Sequence, residues 1–156
     1  MQNYNPLRIG TALVVLVLLI GVSIIPTTVG VDKSPLPTFS DPTIVSIQPP
    51  SQIVEKVETF YVFVYIEPGV AIMGANFDYL FFDSNLIHAN FVMFYEFFSP
   101  YGPLWCNYGT IDNINGEIRE VYEFLLGSGS VSDPGSWVMI EFTAQQQSGI
   151  SYLDLE

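Results

Sequence analysis

The residues of this chain that could carry chemistry are few, and their spacing favours no catalytic pair. The single cysteine, Cys106, stands between Trp105 and Asn107, and the single histidine, His88, lies in an apolar run. No feature of the sequence ties the thiol to the imidazole as a nucleophile and its base. One cysteine forms no internal disulfide, and one Cys with one His is a poor ligand set for zinc or copper.

Carboxylates are the only abundant reactive groups. Glu117, Glu120 and Glu123 lie close together in sequence, and a pair of carboxylates supplies the acid and base of a glycosidase. Acidic residues are common throughout this chain, however, and a small β-domain offers little cleft for a sugar chain. We therefore do not expect these carboxylates to form a glycosidase site.

A second group of oxygen ligands precedes a turn. Asp112, Asn113 and Asn115 offer the carboxylate and carbonyl oxygens that calcium takes. The same residues lead into Gly116, and Asn-Gly between two apolar stretches is the strongest hairpin signal in the chain. The cluster is therefore interpreted as a turn, and we expect no cofactor and no metal held by this chain.

The charge distribution argues against two classes of partner. All sixteen acidic residues lie beyond position 31, and only Lys33, Lys56 and Arg119 accompany them, which gives that part a formal charge of −13. A surface this acidic repels phosphate backbones, so we expect no nucleic-acid binding. The same argument disfavours docking on an anionic membrane surface.

The N-terminus predicts export. A short leader with Arg8 precedes an uncharged apolar run at 12–25, which Pro26 closes. That length is typical of a signal-peptide core, and the small residues before position 31 predict cleavage after Gly30. The alternative is an uncleaved anchor, in which residues 9–31 would just span a membrane. Either way, we expect 1–30 to be a signal or anchor, 31–42 a Pro-rich linker, and the domain to be extracellular.

From position 43 onward, turn-forming residues recur about every ten residues between runs rich in aromatic and β-branched side chains. These runs predict strands at 43–47, 60–66, 70–82, 86–98, 104–111, 117–126, 137–144 and 150–156, with a short extended piece at 54–57. No segment shows a convincing helical period. The pattern predicts an all-β fold, an antiparallel two-sheet sandwich of eight or nine strands with jelly-roll or immunoglobulin-like topology.

The stretch 70–87, VAIMGANFDYLFFDSNLI, predicts a strand with an irregularity. Strict alternation cannot place Phe77, Leu80 and Phe82 on one face. They all face inward only if the strand holds one extra residue, a bulge near Asp78 and Tyr79. The other face then offers polar side chains outward.

Three motifs, taken in order, carry a family resemblance. GANFD at 74–78, leading to FDSNL at 82–86, resembles a Gly-x-x-Phe strand followed by an aromatic-Asp-Pro turn. IDN at 111–113 with GEI at 116–118 resembles a central hairpin. WVMIEFTA at 137–144, followed by Gly149 and LDL at 153–155, resembles an eighth strand and the start of a ninth. Together they resemble a cohesin domain, the receptor module that holds dockerin-bearing enzymes in cellulosomes, and the resemblance covers about 43–156.

The resemblance implies a nine-stranded jelly roll that binds a dockerin-containing protein non-covalently and catalyses nothing. It implies a secreted or surface-attached scaffold for extracellular polysaccharide-degrading or surface assemblies, with calcium carried by the partner. The partner-binding sheet would comprise strands three, five, six and eight. Its outward residues would be Asn76, Asp78, Tyr108, Arg119, Glu123, Met139 and Glu141.

Two other functions remain open. A carbohydrate-binding module uses the same sandwich, and a dense aromatic cluster near the Pro-rich turn offers rings that would stack on sugars: Tyr95, Phe97, Phe98, Tyr101 and Trp105. A cell-surface domain whose open sheet edge pairs with copies of itself is the other.

Overall fold

The structure, a computed structural model, describes residues 41–156. The predicted signal or anchor at 1–30 and all but the last two residues of the predicted linker lie outside the described residues. The described residues belong to one compact unit of the chain. Within 41–156 there is no helix long and apolar enough to cross a membrane.

In the described part of the chain, eight strands form two four-stranded sheets that pack face to face. The strands are β1 (Ile44–Gln48), β2 (Thr59–Glu67), β3 (Gly74–Phe81), β4 (Ile87–Phe94), β5 (Leu104–Asp112), β6 (Glu117–Leu125), β7 (Gly135–Ala144) and β8 (Asp154–Leu155), with one 3₁₀ turn at Ser99–Tyr101. One sheet has the order β1-β2-β7-β4 and the other β5-β6-β3-β8. The predicted all-β two-sheet sandwich is confirmed, whereas the piece at 54–57 is a loop.

The core lies between the sheets and follows from clean alternation along β2 and β7. Val62 pairs with Ile140 and Val64 with Val138, and all four side chains are buried. Trp137 is buried beside them because a register shift in this pair places two successive β7 residues inward. Its ring packs edge-on against Phe77 of the other sheet, with centroids 6.0 Å apart.

The predicted bulge in β3 is confirmed. The backbone N–H groups of Asp78 and Tyr79 both donate to the carbonyl oxygen of Glu156, at 2.9 and 3.1 Å. Two residues of β3 thus oppose one residue beside β8, which is the signature of a bulge. Consequently Phe77 and Leu80 are both buried, although three positions separate them.

The irregularity crosses the whole β5-β6-β3 part of the sheet. Glu120 of β6 has a φ of 59° and Gly109 of β5 a φ of 79°, and both lie level with Asp78, between the paired rows on either side. Each strand therefore carries one extra residue at the same level. Beyond this row, the inward and outward positions of each strand are exchanged relative to an uninterrupted alternation.

The β5–β6 hairpin forms where Asn-Gly predicts it. Gly116 has a φ of 72°, and a Cβ built on it would lie 2.1 Å from the carbonyl oxygen of Phe82, so only glycine fits. The Asp112 carboxylate accepts hydrogen bonds from the backbone of Ile114 and Asn115, both at 3.0 Å. These bonds account for the Asp/Asn cluster as a turn.

The position of 137–144 corrects the strand numbering that the resemblance implies. This segment forms β7, the seventh strand, and lies between β2 and β4. The eighth strand is instead Asp154–Leu155, which pairs with β3. Alternation along a strand identifies its buried face, but it carries no information about which strands become its neighbours.

Candidate functional site

The outer surface of the β5-β6-β3-β8 sheet combines exposed aromatic rings with carboxylates, and we call it the aromatic–acidic face. Strand register places its members, because residues paired across antiparallel strands share a face. They are Trp105 and Asp112 of β5, Glu117, Arg119, Tyr122 and Phe124 of β6, Asn76, Asp78, Tyr79 and Phe81 of β3, and Asp154 of β8.

Three aromatic rings form one end of this face. Trp105 lies with its ring centroid 5.1 Å from that of Tyr122 and 6.0 Å from that of Phe124. Trp105 is 58% exposed. Gly74 is paired with Phe124, and a Cβ on Gly74 would lie 2.1 Å from that ring. Because Gly74 has no side chain, the Phe124 ring can pack directly on the backbone of β3, which extends the aromatic surface.

The other end of the face mixes rings with charge. Tyr79 and Phe81 stack with centroids 5.3 Å apart and an interplanar angle of 3°. Next to Tyr79, the Arg119 guanidinium lies 3.4 Å from Glu117 and 3.8 Å from Asp112. Arg119 is thus neutralised by two acids, and the face as a whole remains acidic.

Three of the seven predicted site residues lie on the aromatic–acidic face. Asn76 and Arg119 point outward, and the Asn76 amide donates to the Asp78 carboxylate at 3.4 Å, so Asp78 shares their side. Asn76 and Asp78 are exposed. The sequence therefore placed these three residues together on the outer surface of one sheet, as the structure has them.

Tyr108 does not face outward as predicted. It pairs with the buried Val121, and its ring contacts Phe94 of the other sheet at a centroid distance of 4.8 Å. The side chain is 53% exposed only because β5 is an edge strand. The bulge at Gly109 changes which side chains of β5 face outward, which a regular alternation does not anticipate.

Glu123 is also misplaced by regular alternation. Counting by twos from Arg119 places it outward, but the bulge at Glu120 turns it into the core, where it is 2% exposed. Its carboxylate accepts a hydrogen bond from the indole N–H of Trp137 at 3.0 Å. Burial raises the pKa of Glu123 to about 7, and the hydrogen bond from Trp137 opposes that rise.

Met139 and Glu141 lie on the opposite side of the molecule from the other predicted residues. Both point outward from β7, as the buried set of Val138, Ile140 and Phe142 requires. That strand belongs to the β1-β2-β7-β4 sheet, however. The structure therefore does not bring this pair together with Asn76, Asp78 and Arg119.

The aromatic cluster of the carbohydrate-binding alternative is divided. Phe97 and Phe98 are core residues, 6% and 0% exposed, whereas Tyr95, Tyr101 and Trp105 remain exposed. Trp105 belongs instead to the aromatic–acidic face, whose three rings are tilted by 31–54° to one another. These rings do not form the coplanar platform on which a flat sugar chain would stack.

The aromatic members of this face are the part that sequence reasoning missed. Tyr122 and Phe124 flank Glu123, and an acid between two rings ordinarily signals buried rings with an exposed acid. The signal that would have found them is the spacing of Ile118, Val121 and Leu125, which all fit inward only if β6 carries an extra residue.

Reactive groups within residues 41–156 remain apart. No group of three or more His, Cys, Asp or Glu side chains in this range is arranged to hold a metal ion. His88 and Cys106 belong to different sheets. Hydrogen bonds from the backbone and side chain of Asn115 hold the pKa of Asp112 below its usual range, so this carboxylate is already engaged in its turn.

A concavity of about 530 Å³ lies elsewhere, between the loop after β1 and the loop after β7. Its walls are largely aliphatic and aromatic, with contributions from Ile47, Phe60, Leu86 and Leu153, and Glu55 and Lys56 are the charged residues that line it. This composition suits an apolar contact.

Comparisons with known proteins agree with the fold. No family model matches this chain, and no curated protein matches it. The sixth cohesin of scaffoldin B from Acetivibrio cellulolyticus, solved in complex with a mutant Cel5 dockerin, is similar over 73% of this chain and 81% of its own, at 13% identity and a TM-score of 0.53. The seventh ScaB type I cohesin from Pseudobacteroides cellulosolvens is similar over 65% of this chain and 68% of its own, at 16% identity and a TM-score of 0.47.

The likeness to the scaffoldin B cohesin is one of structure, with a TM-score of 0.53 at 13% identity, and it shows the fold alone. This chain has the fold of a cohesin domain.

Proposed function

We propose that this domain is a cohesin-like receptor module that binds a dockerin-bearing protein non-covalently through the aromatic–acidic face. The observation that carries the proposal is the exposed Trp105 packed against the half-buried rings of Tyr122 and Phe124, on the same sheet surface as several carboxylates. Aromatic residues with a large buried area on binding supply most of the affinity of protein interfaces. The structurally similar scaffoldin cohesin, solved with a dockerin, supports the same class of partner.

The chemistry of the face defines what the partner must offer. Asp78, Glu117 and Asp154 have a single basic neighbour, Arg119, which Glu117 and Asp112 already neutralise. A complementary partner therefore presents an apolar ridge for the rings and Lys or Arg side chains for the acids. The partner, and not this chain, supplies any calcium.

The proposed setting follows from the N-terminal segment. A signal or anchor at 1–30 would place the module outside the cytoplasm, attached or free, where it would recruit enzymes or surface proteins into an assembly. The module itself performs no chemistry in this proposal. Its contribution is to hold a catalytic partner at the assembly.

The test is capture with a matched pair of variants. Residues 31–156 are immobilised, and the secreted proteins of the source organism are passed over them with calcium and then with a chelator. We expect a dockerin-bearing protein to be retained in calcium and released by the chelator. Trp105→Ala combined with Tyr79→Ala removes one ring at each end of the face and should reduce retention at least ~10-fold.

Ile53→Ala is the control, because Ile53 is fully exposed in the loop between β1 and β2 and does not belong to the aromatic–acidic face. Equal retention by the Trp105/Tyr79 variant would refute this face as the site. A folded wild-type domain that retains no dockerin-bearing protein would refute the function. A shift of tryptophan fluorescence with cello-oligosaccharides, abolished by Trp105→Ala, would favour the carbohydrate-binding alternative instead.

A further inference from the structure

The outer surface of the β1-β2-β7-β4 sheet is also aromatic, but it lacks the acids of the other face. We call it the tyrosine–methionine face. Register rows place its members side by side: Phe63 pairs with Met139, which pairs with Met93, and Tyr61 pairs with Glu141, which pairs with Phe91. The face comprises Tyr61, Phe63 and Tyr65 of β2, Met139 of β7, Phe91 and Met93 of β4, and Tyr95 just beyond β4.

These side chains leave a large apolar area in water. Tyr61 is 43% exposed, Phe91 39%, Met93 42% and Tyr95 48%. A large side chain of this kind has about 200 Å² of surface, so these four alone expose on the order of 350 Å². With the half-buried members and the polar rim, the face would cover roughly 600–800 Å² per copy, which reaches the size of a specific protein interface.

Charge is nearly absent from this face. Glu141 is the one carboxylate in its middle rows, and Glu67 lies at a corner, at the end of β2. The Glu141 carboxylate accepts a hydrogen bond from the Asn90 amide at 2.9 Å and bonds the Tyr61 hydroxyl, which raises the pKa of Tyr61. A carboxylate that already accepts hydrogen bonds loses less free energy when a partner surface buries it than one without such bonds.

We infer that a second copy of this chain covers the tyrosine–methionine face, so that two domains pair as a two-fold dimer. The rest of the domain is strongly acidic, with Lys56 and Arg119 as its basic residues between 41 and 156. A basic partner would therefore be drawn to other surfaces. An uncharged apolar surface is matched by another of the same kind, and a second copy presents one while its acidic surfaces stay in solvent.

Two-fold symmetry also closes the contact. The same patch meets itself, so the assembly stops at two copies. Met93 and Met139 are adjacent near the middle of the face, and unbranched methionine side chains can interdigitate across such an axis. Phe63 and Tyr95 meet at 89°, which leaves an uneven surface better suited to protein side chains than to a flat sugar chain.

Pairing through the β4 edge is disfavoured. β4, one of the two edge strands of this sheet, contains a register shift between Ala89 and Phe91, and the Asn90 between them donates to Glu141 and to Thr143. A bulge of this kind interrupts the row of edge hydrogen-bonding groups that strand addition requires. The face of this sheet therefore offers a better contact than its β4 edge.

The dimer would leave both aromatic–acidic faces free. Each sandwich places its two sheets back to back, so closing one face directs the other outward. The assembly would then present two partner-binding faces, and a partner array with two modules would bind by avidity. The dimer does not depend on the proposed function, because it uses a different set of residues.

Sedimentation velocity on residues 31–156, from about 1 to about 200 µM, tests the inference. We expect a monomer–dimer equilibrium with Kd of about 10–100 µM. Added salt should strengthen the dimer, because it screens the repulsion between the acidic surfaces of the two copies. Met93→Glu places two charges at the two-fold axis and should weaken the dimer at least ~10-fold. Trp105→Glu, which puts the same charge on the other face, should leave the dimer unchanged.

Each outcome decides the question. A folded wild-type domain that stays monomeric throughout would overturn the inference, and so would a dimer that Met93→Glu does not weaken. Met93→Lys is compared with Met93→Glu, because both remove the apolar contact but only the glutamate adds to the negative charge of the two copies. Thermal melting checks that both variants fold. Binding of a monomer to insoluble cellulose that Met93→Glu abolishes would assign the face to a glycan instead.

Discussion

The indole N–H of Trp137 donates to the buried carboxylate of Glu123 across the core, at 3.0 Å. Trp137 belongs to β7 of one sheet and Glu123 to β6 of the other, so this bond joins the two layers of the sandwich. Tyr122 and Phe124, the neighbours of Glu123 in sequence, point outward into the aromatic–acidic face. The buried bond therefore anchors the strand that presents those two rings.

The first prediction concerns pH and stability. Burial raises the pKa of Glu123 to about 7, so the fold favours its neutral form. This contribution to stability is fully present below the pKa of an unfolded glutamate, near 4.5, and is lost as the pH rises through about 7. Glu123→Gln keeps an acceptor for Trp137 and cannot ionise. The variant should match the wild type near pH 5 and exceed its unfolding free energy at pH 8 by roughly 2–3 kcal/mol.

Urea unfolding of both proteins across this pH range measures the difference. Comparison of the two proteins matters because the other carboxylates also repel one another as they ionise, and that repulsion is common to both. A constant difference in unfolding free energy from pH 5 to pH 8 would contradict the assignment of a raised pKa to Glu123.

The second prediction removes the donor. Trp137→Phe retains most of the ring but leaves the Glu123 carboxyl buried without its partner. We expect a loss of about 2–4 kcal/mol at pH 7, from the unsatisfied acceptor and the smaller ring. Adding Glu123→Leu to this variant should restore part of that loss, because no buried polar group then remains. Thermal melting of the single and double variants gives both values.

The third prediction separates the two faces. Met139 lies on the sheet opposite the aromatic–acidic face, so Met139→Ala should leave affinity for a soluble single-module partner within about two-fold of wild type. Trp105→Ala should weaken the same binding by at least ~10-fold. Titration calorimetry with the partner identified by capture compares them. Equal losses from both substitutions would mean that the partner reaches around the sandwich.

The fourth prediction tests the β5–β6 turn. Gly116→Ala forces a Cβ toward the carbonyl oxygen of Phe82 and strains a left-handed backbone. We expect a loss of about 2–4 kcal/mol, or a Tm lowered by at least ~8 °C. Gly127→Ala is a useful control, because Gly127 also has a positive φ, 121°, but has nothing within 4 Å of the added Cβ. A smaller loss at Gly127 isolates the contribution of the clash.

Local sequence patterns determined much of this fold. Alternation along 60–66 and 137–144 predicted β2 and β7, and Asn115-Gly116 predicted the hairpin, because strand period and turn geometry depend on neighbouring residues alone. The spacing of Phe77, Leu80 and Phe82 also predicted the bulge at Asp78 and Tyr79. That prediction succeeded because three large apolar side chains in one short strand all require the core.

The tertiary structure decided where the side chains change face. The bulges at Gly109 and Glu120 reverse the facing of Tyr108 and Glu123, and both lie level with the β3 bulge across the sheet. The apolar spacing within β6 indicates an extra residue in that strand but does not fix this alignment. The sheet to which β7 belongs, and hence the location of Met139, depends on pairing between strands distant in sequence. Such pairing is decided by packing of the whole core, which no local pattern encodes.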